Sequence, residues 1–328
     1  MKTSVKAIVG TLFFLILAAG AAFAEDLGLI TGGEKGTYYQ FGLNLQELAK
    51  EKGINLSVYN SKGSIENIYA VFKRPRTQMG IVQSDVLAFV AKVRSNPVLA
   101  RIAEKTKMVF PLYNEEVHLL GRQGIADFKD LAGKRVAVDR EGSGTYLTAN
   151  LLFEVSGVKP AEILTVGTDE ALAQLKAGAV DAMFYVAGVP VKLFTEKVAA
   201  EDALALIPIR DKSIVEYYPE ADIPANSYAW QPGAVPTVAV KAVLISYEFR
   251  GSNCDLVGRF AGILADNMDW LKANGHPKWK SVDLDYPLKG WEQYACVVKH
   301  IGKTTMTAPQ EPSEPNPVLD AVKEMLKP

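Results

Sequence analysis

Cysteine and histidine are scarce in this chain. Its 328 residues hold two Cys, Cys254 and Cys296, and three His, His118, His276 and His300. No two of these five have the spacing of metal ligands, so no metal site is expected. An excess of one charge is missing too. Lys and Arg number 36 against 37 Asp and Glu, a net −1. That balance gives no case for nucleic acid or an anionic membrane as partner. Motifs for cofactors and for catalysis are also lacking, so neither a cofactor nor an enzyme is expected. The first glycine turn, residues 32–36, reads G-G-x-x-G rather than the dinucleotide G-x-G-x-x-G. The second, around Gly142 and Gly144, has no Gly-Lys-Ser/Thr. Glu141 stands where G-x-S-x-G needs its first glycine, so Ser143 is not a hydrolase elbow. No Cys, His or metal in these turns could serve as nucleophile or base.

Long apolar runs are confined to the N-terminus. Lys2 and Lys6 precede the run from Ala7 to Ala19, and Ala22-Phe23-Ala24 supplies small residues for a signal peptidase. The run is short for a membrane span. Residues 1–24 therefore read as a secretory signal cleaved after Ala24, with no Cys nearby to carry a lipid anchor. The expected product is an exported chain of 304 residues with 34 basic and 37 acidic side chains, net −3. Two Cys in such a chain leave two readings, one disulfide or two buried thiols.

What is present is an alternation of strand and helix. Leu27–Ile30 reads as a strand. A turn holding Gly32, Gly33 and Gly36 follows, then a helix with Phe41, Leu45 and Leu48 on one face and Gly53 as its stop. Residues 54–59 form the next strand. Ser64 is expected to cap a helix carrying Ile65, Ile68, Tyr69 and Phe72, which Pro75 ends. Residues 79–82 form a third strand, and Ser84 is expected to cap a helix with Val86, Val90 and Val93 on one stripe. This βαβαβα order predicts a parallel sheet covered by helices. Its polar turns lie at the carboxyl ends of the strands, where such sheets bind ligands.

Residues 108–121 read as a crossover strand leaving a first lobe. A second set of units follows. Strand 135–138 runs into Asp139-Arg140-Glu141-Gly142-Ser143-Gly144-Thr145-Tyr146, then a helix stopping at Gly157. Strand 162–166 precedes a helix from Thr168 to Gly178. Strand 181–187 precedes a helix with Pro190 in its first turn. Strand 204–209 ends the set, and residues 215–236, rich in proline, read as loop. Residues 238–246 form a returning strand. Asn253 is expected to cap one helix through Leu271, closed by Gly275. A proline-rich tail ends in a short helix, 318–326. A strand that leaves and a strand that returns suggest two lobes and a hinged cleft, with lobe I as 25–112 and 232–328 and lobe II as 113–231. Helix starts from both lobes would face each other and attract an anion.

Thr31-Gly-Gly-x-x-Gly-Thr-Tyr-Tyr-x-x-Gly42 resembles the opening motif of TAXI-type solute-binding proteins, the receptors of a class of TRAP transporters. The resemblance continues through Gly63-Ser-Ile-Glu-Asn67, Gly80-Ile-Val-Gln-Ser-Asp85, Gly142-Ser-Gly-Thr145, Asp181-Ala-Met-Phe-Tyr185 and Gly188-Val-Pro190. It implies an α/β, two-lobed type II periplasmic-binding-protein fold with a hinged cleft. It also implies a periplasmic receptor that captures a small organic anion and docks on TRAP membrane subunits. Five-carbon dicarboxylates such as glutamate or 2-oxoglutarate are the implied ligands. The receptor of an ABC importer is the competing assignment. Carried over by motif, the cleft residues are Thr37, Tyr38, Ser64, Asn67, Gln83, Ser84, Ser143, Thr145 and Tyr185. The chain departs from the common pattern at Glu34, Lys35, Arg140, Glu141 and Tyr146. Arg140, beside the second glycine turn, is expected either to grip a ligand carboxylate or to pair with a surface acid such as Glu141.

Overall fold

The structure, a computed structural model, describes residues 25–92, 97–288 and 290–301. The expected signal at 1–24, Val93, and the tail with its helix at 318–326 lie outside the described residues. The first units form as their periodicity requires. β1 (Glu25–Ile30), α1 (Thr37–Glu51), β2 (Ile54–Tyr59), α2 (Ser64–Lys73), β3 (Met79–Gln83) and α3 (Ser84–Lys92) follow in order. β1 lies between β2 and β3, parallel to both. β3 is buried along its whole length, as a strand covered on both faces must be. Phe41, Leu45 and Leu48 carry the buried face of α1.

α4 (Pro97–Lys105) was not expected from the sequence. Ile102 is buried on it, and Leu99 and Ala103 pack half-buried on the core beside it. β4 (Thr106–Arg122) is the crossover strand, 17 residues long. The second set then runs β5 (Arg135–Ala137), α5 (Gly144–Ser156), β6 (Glu162–Leu164), α6 (Thr168–Ala177), β7 (Ala182–Ala187), α7 (Lys192–Lys197), β8 (Leu204–Leu206) and α8 (Lys212–Val215). The strands expected at 162–166 and 204–209 are three residues each. Pro190 follows a cis bond from Val189 and precedes α7 rather than opening it.

The expected loop at 215–236 contains β9 (Glu220–Ile223), which pairs with the start of β10 (Val235–Tyr247). Glu-Ala-Asp-Ile has little strand propensity of its own. The antiparallel neighbour makes it a strand. The single helix expected after Asn253 is two, α9 (Ser252–Asp266) and α10 (Met268–Asn274). Asn267 breaks it at φ −118° and ψ 24°, and its side-chain amide donates to the Ile263 carbonyl. Gly251 is the N-cap of α9. Asn253 instead accepts a hydrogen bond from the Gln78 side chain. α11 (Ala295–Ile301) ends the described chain.

All ten strands join one sheet, in the order β2-β1-β3-β10-β4-β7-β5-β6, with β8 on β4 and β9 on β10. β10 and β4 are antiparallel to the strands around them. Thr106–Glu116 of β4 faces β10, and Glu116–Gly121 faces β7. One strand thus serves both halves of the sheet. The C-terminal helices pack on the first half. Trp279, fully buried, stacks on Phe41 with ring centroids 4.1 Å apart, and Phe41 meets Tyr113 at 4.4 Å. Cys254 on α9 and Cys296 on α11 are bonded, with Cα atoms 5.5 Å apart. Of the two readings of the cysteines, the structure has the disulfide.

Candidate ligand cleft

Four helices begin at one cavity. α1 brings Gly36, Thr37 and Tyr38, α2 brings Gly63 and Ser64, α5 brings Ser143, Gly144 and Thr145, and α6 brings Thr168. Glycines occupy the N-cap of α1 (Gly36), α2 (Gly63) and α6 (Gly167), so no side chain caps these three. Only α5 is capped, by the Ser143 hydroxyl accepting from Tyr146 N–H at 3.0 Å. Uncapped first turns leave N–H groups for an anion. The expected caps at Ser64 and Ser84 are not caps. Each is the first residue of its helix.

The two halves of the sheet touch around the cavity. Glu66 N–H donates to Gly142 carbonyl at 3.2 Å. Thr37 hydroxyl donates to Gly188 carbonyl at 2.8 Å. Lys35 pairs with Asp169 at the mouth. A Cβ on Gly36 would lie 3.0 Å from the Tyr185 hydroxyl, so that ring reaches across to the start of α1. The cavity has a volume of about 70 Å³, above the roughly 10–15 Å³ that a water needs.

Eight of the ten expected cleft residues line this cavity: Thr37, Tyr38, Ser64, Gln83, Arg140, Ser143, Thr145 and Tyr185. Several are already engaged. The Thr37 hydroxyl is held by Gly188, which leaves its N–H. Ser64 accepts from Gln83 N–H at 3.1 Å, and Thr145 accepts from Val186 N–H at 3.1 Å. These bonds tie helix starts to strand ends and fix the shape of the wall. Arg140 is exposed and lies against Gly167, so it stands at the rim. Asn67 and Ser84 do not line the cavity. Asn67 is fully buried, its amide donating to the carbonyls of Thr31 and Ile81 and accepting from Ser61. Ser84 accepts from Lys241 N–H at 3.0 Å and secures β10. Both hold the strands behind the cavity.

Sequence reading missed Glu115 and Asp139, two buried acids that line the same cavity. The signal for Glu115 was a polar triplet, Asn114-Glu115-Glu116, inside an otherwise apolar strand. Tyr38 donates to Glu115 Oε2 at 2.5 Å. Burial pushes the Glu115 carboxyl well above the usual range, against the lowering effect of that hydrogen bond. Burial also raises Asp139, which sits at φ 67° and accepts from Arg140 N–H and the Ser143 hydroxyl. The Tyr38 and Tyr185 hydroxyls are raised by burial and by these acids, so both stay protonated donors. Gln83 Oε1 is buried with no hydrogen-bond partner. Such an orphan is rare unless a ligand or water completes it.

Two further buried groups join the halves behind the cavity. Asp85, at the start of α3, accepts from the Thr148 hydroxyl of α5 at 2.7 Å and from Tyr218 at 3.4 Å. Burial raises its pKa from 3.8 to about 6. Glu116 pairs with Lys278 and accepts from Val189 N–H at 3.1 Å. Among the described residues no group of His, Cys, Asp and Glu is placed to hold a metal ion.

Residues 29–286 match the NMT1-like family. The chain belongs to that family. The periplasmic binding protein BugD is similar in structure, with a TM-score of 0.53 and 11% identity, over 80% of this chain and 89% of BugD. MatC from Rhodopseudomonas palustris, seen with bound malate, is similar with a TM-score of 0.57 and 19% identity, over 91% of this chain and 99% of MatC. This NMT1-like protein has the two-lobed type II fold of periplasmic binding proteins. Its chemistry follows from the cavity. The wall offers N–H groups and hydroxyls, with the carboxyls of Glu115 and Asp139 among them.

Proposed function

We propose that this protein is the periplasmic receptor of a TAXI-type TRAP transporter. It captures a small organic anion and delivers it to the membrane subunits for uptake driven by an ion gradient. It performs no catalysis. The observation that carries the anion is the convergence of three uncapped helix starts on one small cavity. Their N–H groups satisfy carboxylate oxygens with little formal positive charge. The motifs from Thr31 to Pro190 carry the TAXI assignment and, with it, a five-carbon dicarboxylate such as glutamate or 2-oxoglutarate. MatC shows that this fold accommodates a dicarboxylate. At 19% identity it lends the fold to this chain, and the ligand rests on the cavity. Lobe I is residues 25–112 and 232–328, lobe II is 113–231, and β4 with β10 is the hinge about which they close.

A thermal-shift panel on refolded, ligand-free protein tests the ligand. It holds glutamate, glutamine, 2-oxoglutarate, succinate, malate, sulfonates and phosphate. Ligand at a thousand times its Kd adds about 4 kcal/mol of stability, a shift of several degrees. If phosphate or sulfonates are the sole hits, the dicarboxylate fails and the anion stands. A neutral sugar or a cation as sole hit removes the helix-start argument. The transporter class is tested by uptake in proteoliposomes. Uptake on an ion gradient with TRAP-type subunits supports the assignment, and dependence on ATP hydrolysis makes the chain an ABC receptor.

A further inference from the structure

Residues 188–190, the loop that follows β7, are gripped from outside their own lobe. Both ends of the loop belong to lobe II. Ala187 pairs with Glu116 in the sheet, and Val191 N–H donates to the Tyr228 hydroxyl at 3.0 Å. Between these anchors a main-chain group of each residue is taken. The Gly188 carbonyl accepts from the Thr37 hydroxyl at 2.8 Å. Val189 N–H donates to Glu116 Oε2 at 3.1 Å, and Glu116 Oε1 accepts from the Lys278 ammonium at 2.5 Å. The Pro190 carbonyl lies 3.3 Å from His276 Nε2. The His276 tautomer follows from its own turn. Nδ1 accepts from Lys278 N–H at 3.1 Å, so the ring proton is on Nε2, which donates to Pro190.

The slot that receives this loop is one piece of lobe I. Asn44 Oδ1, on α1, accepts from His276 N–H at 2.9 Å and from Trp279 Nε1–H at 3.0 Å. These bonds fix the 276–279 turn to the helix that begins at Thr37. The slot fits bare backbone, since a Cβ at Gly188 would lie 2.7 Å from the Tyr113 ring and 2.9 Å from Lys278 Cγ. Thr37 and Ala187 line the ligand cavity from opposite lobes, so a cleft that parts to admit a ligand draws the loop out of the slot. His276 and Lys278 do not line that cavity. We propose that the 188–190 loop and the slot of Thr37, His276 and Lys278 form a latch of the closed receptor, which sets how long a ligand is retained without reading its identity. The latch rests on the hinged-receptor reading given above. His276 acts in it as a positioning residue.

His276→Asn, alone and with Thr37→Val, tests it. Asn keeps an acceptor for Lys278 N–H and has no atom at the place of Nε2. Val keeps the shape of Thr37 and its N–H. Stopped-flow fluorescence, with Trp279 beside the slot, reads rates for each member of the thermal-shift panel that binds. Dissociation should be at least about threefold faster in His276→Asn, as loss of one neutral hydrogen bond allows, and faster again in the double variant. Association should stay within about twofold. The factor should be the same for every ligand, and the melting temperature without ligand unchanged. Unchanged dissociation overturns the latch, and so does a factor that differs between ligands. If His276→Asn loses stability without ligand, Gly188→Ala carries the test from the lobe II side and should speed dissociation in the same way. Spin labels on Leu43→Cys and Ile163→Cys, exposed positions on α1 and β6, report the lobe separation. If no panel member binds, or binding leaves that separation unchanged, the hinged-receptor reading falls and the latch with it. If the lobes close and the rates do not respond, only the latch falls.

Discussion

Replacing Gly144 by alanine sets two effects against each other. Gly144 opens α5, and alanine is favoured over glycine in a helix by up to about 1 kcal/mol. In the closed cleft, however, the new Cβ would lie 1.8 Å from Gln83 Oε1 and 2.8 Å from Ser64 Oγ. Gln83 is buried in the cavity wall. Both clashing side chains sit on the opposite half of the sheet, so an open cleft clears them. The strain therefore falls on closure alone. Overpacking of this kind costs about 1–3 kcal/mol, which is about 5- to 150-fold in affinity. The assay pairs the melting temperature of ligand-free Gly144→Ala with its calorimetric Kd for the tightest ligand of the panel. We expect an unchanged or raised melting temperature and a Kd weakened at least fivefold. An unchanged Kd refutes the closure argument. A large loss of melting temperature without ligand refutes the assumption that the free protein opens.

Three further outcomes follow from the same contacts. Arg140→Ala should weaken binding by no more than about fivefold, because an exposed guanidinium contributes about 1 kcal/mol or less. An unchanged Kd by calorimetry removes Arg140 from the site. Asp85 titrates at about 6 when folded and 3.8 as a free side chain. Between those values the folded state holds a proton that the unfolded state has lost. Its contribution is therefore most favourable below pH 4 and is lost as pH rises through 6, by about 3 kcal/mol in all. Asp85→Asn should flatten that part of the stability profile from urea unfolding at pH 4.5, 5.5 and 7, and a parallel profile contradicts it. The disulfide closes a separation of 42 residues, for which loop entropy allows about 4 kcal/mol. The double variant Cys254→Ala, Cys296→Ala should lose stability of that order in denaturant unfolding. A loss under about 1 kcal/mol means that packing of α9 on α11 suffices.

The strand–helix units were legible because apolar spacing and glycine stops agree within each. Phe41, Leu45 and Leu48 announce a helix without any partner in view. The long crossovers were legible as β-rich runs. β9 and the break at Asn267 were not, since a neighbouring strand and a side-chain hydrogen bond decide them. In the cleft, polar residues at helix starts were found because that position is local. Whether they face the cavity depends on distant partners. Asn67 was read as a contact because nothing near it in sequence shows that Thr31 and Ile81 consume its amide. Glu115 was passed over for the converse reason. Only the register of β4 against β10 and β7 brings a carboxyl from a crossover strand to the floor of the cavity.

The place of β10 in the sheet has a consequence for how the chain folds. β10 lies between β3 and β4, yet about 150 residues separate the end of β3 from its start. Until residue 247 has been made, β3 presents an open edge and β4 lacks the neighbour for its first eleven residues. β5, β6 and β7 have their parallel partners long before then. The half of the sheet nearest the N-terminus is consequently the last to be completed. Its pairing has a high sequence separation, which slows folding, and its waiting edge is the part of the nascent chain most open to pairing with other chains.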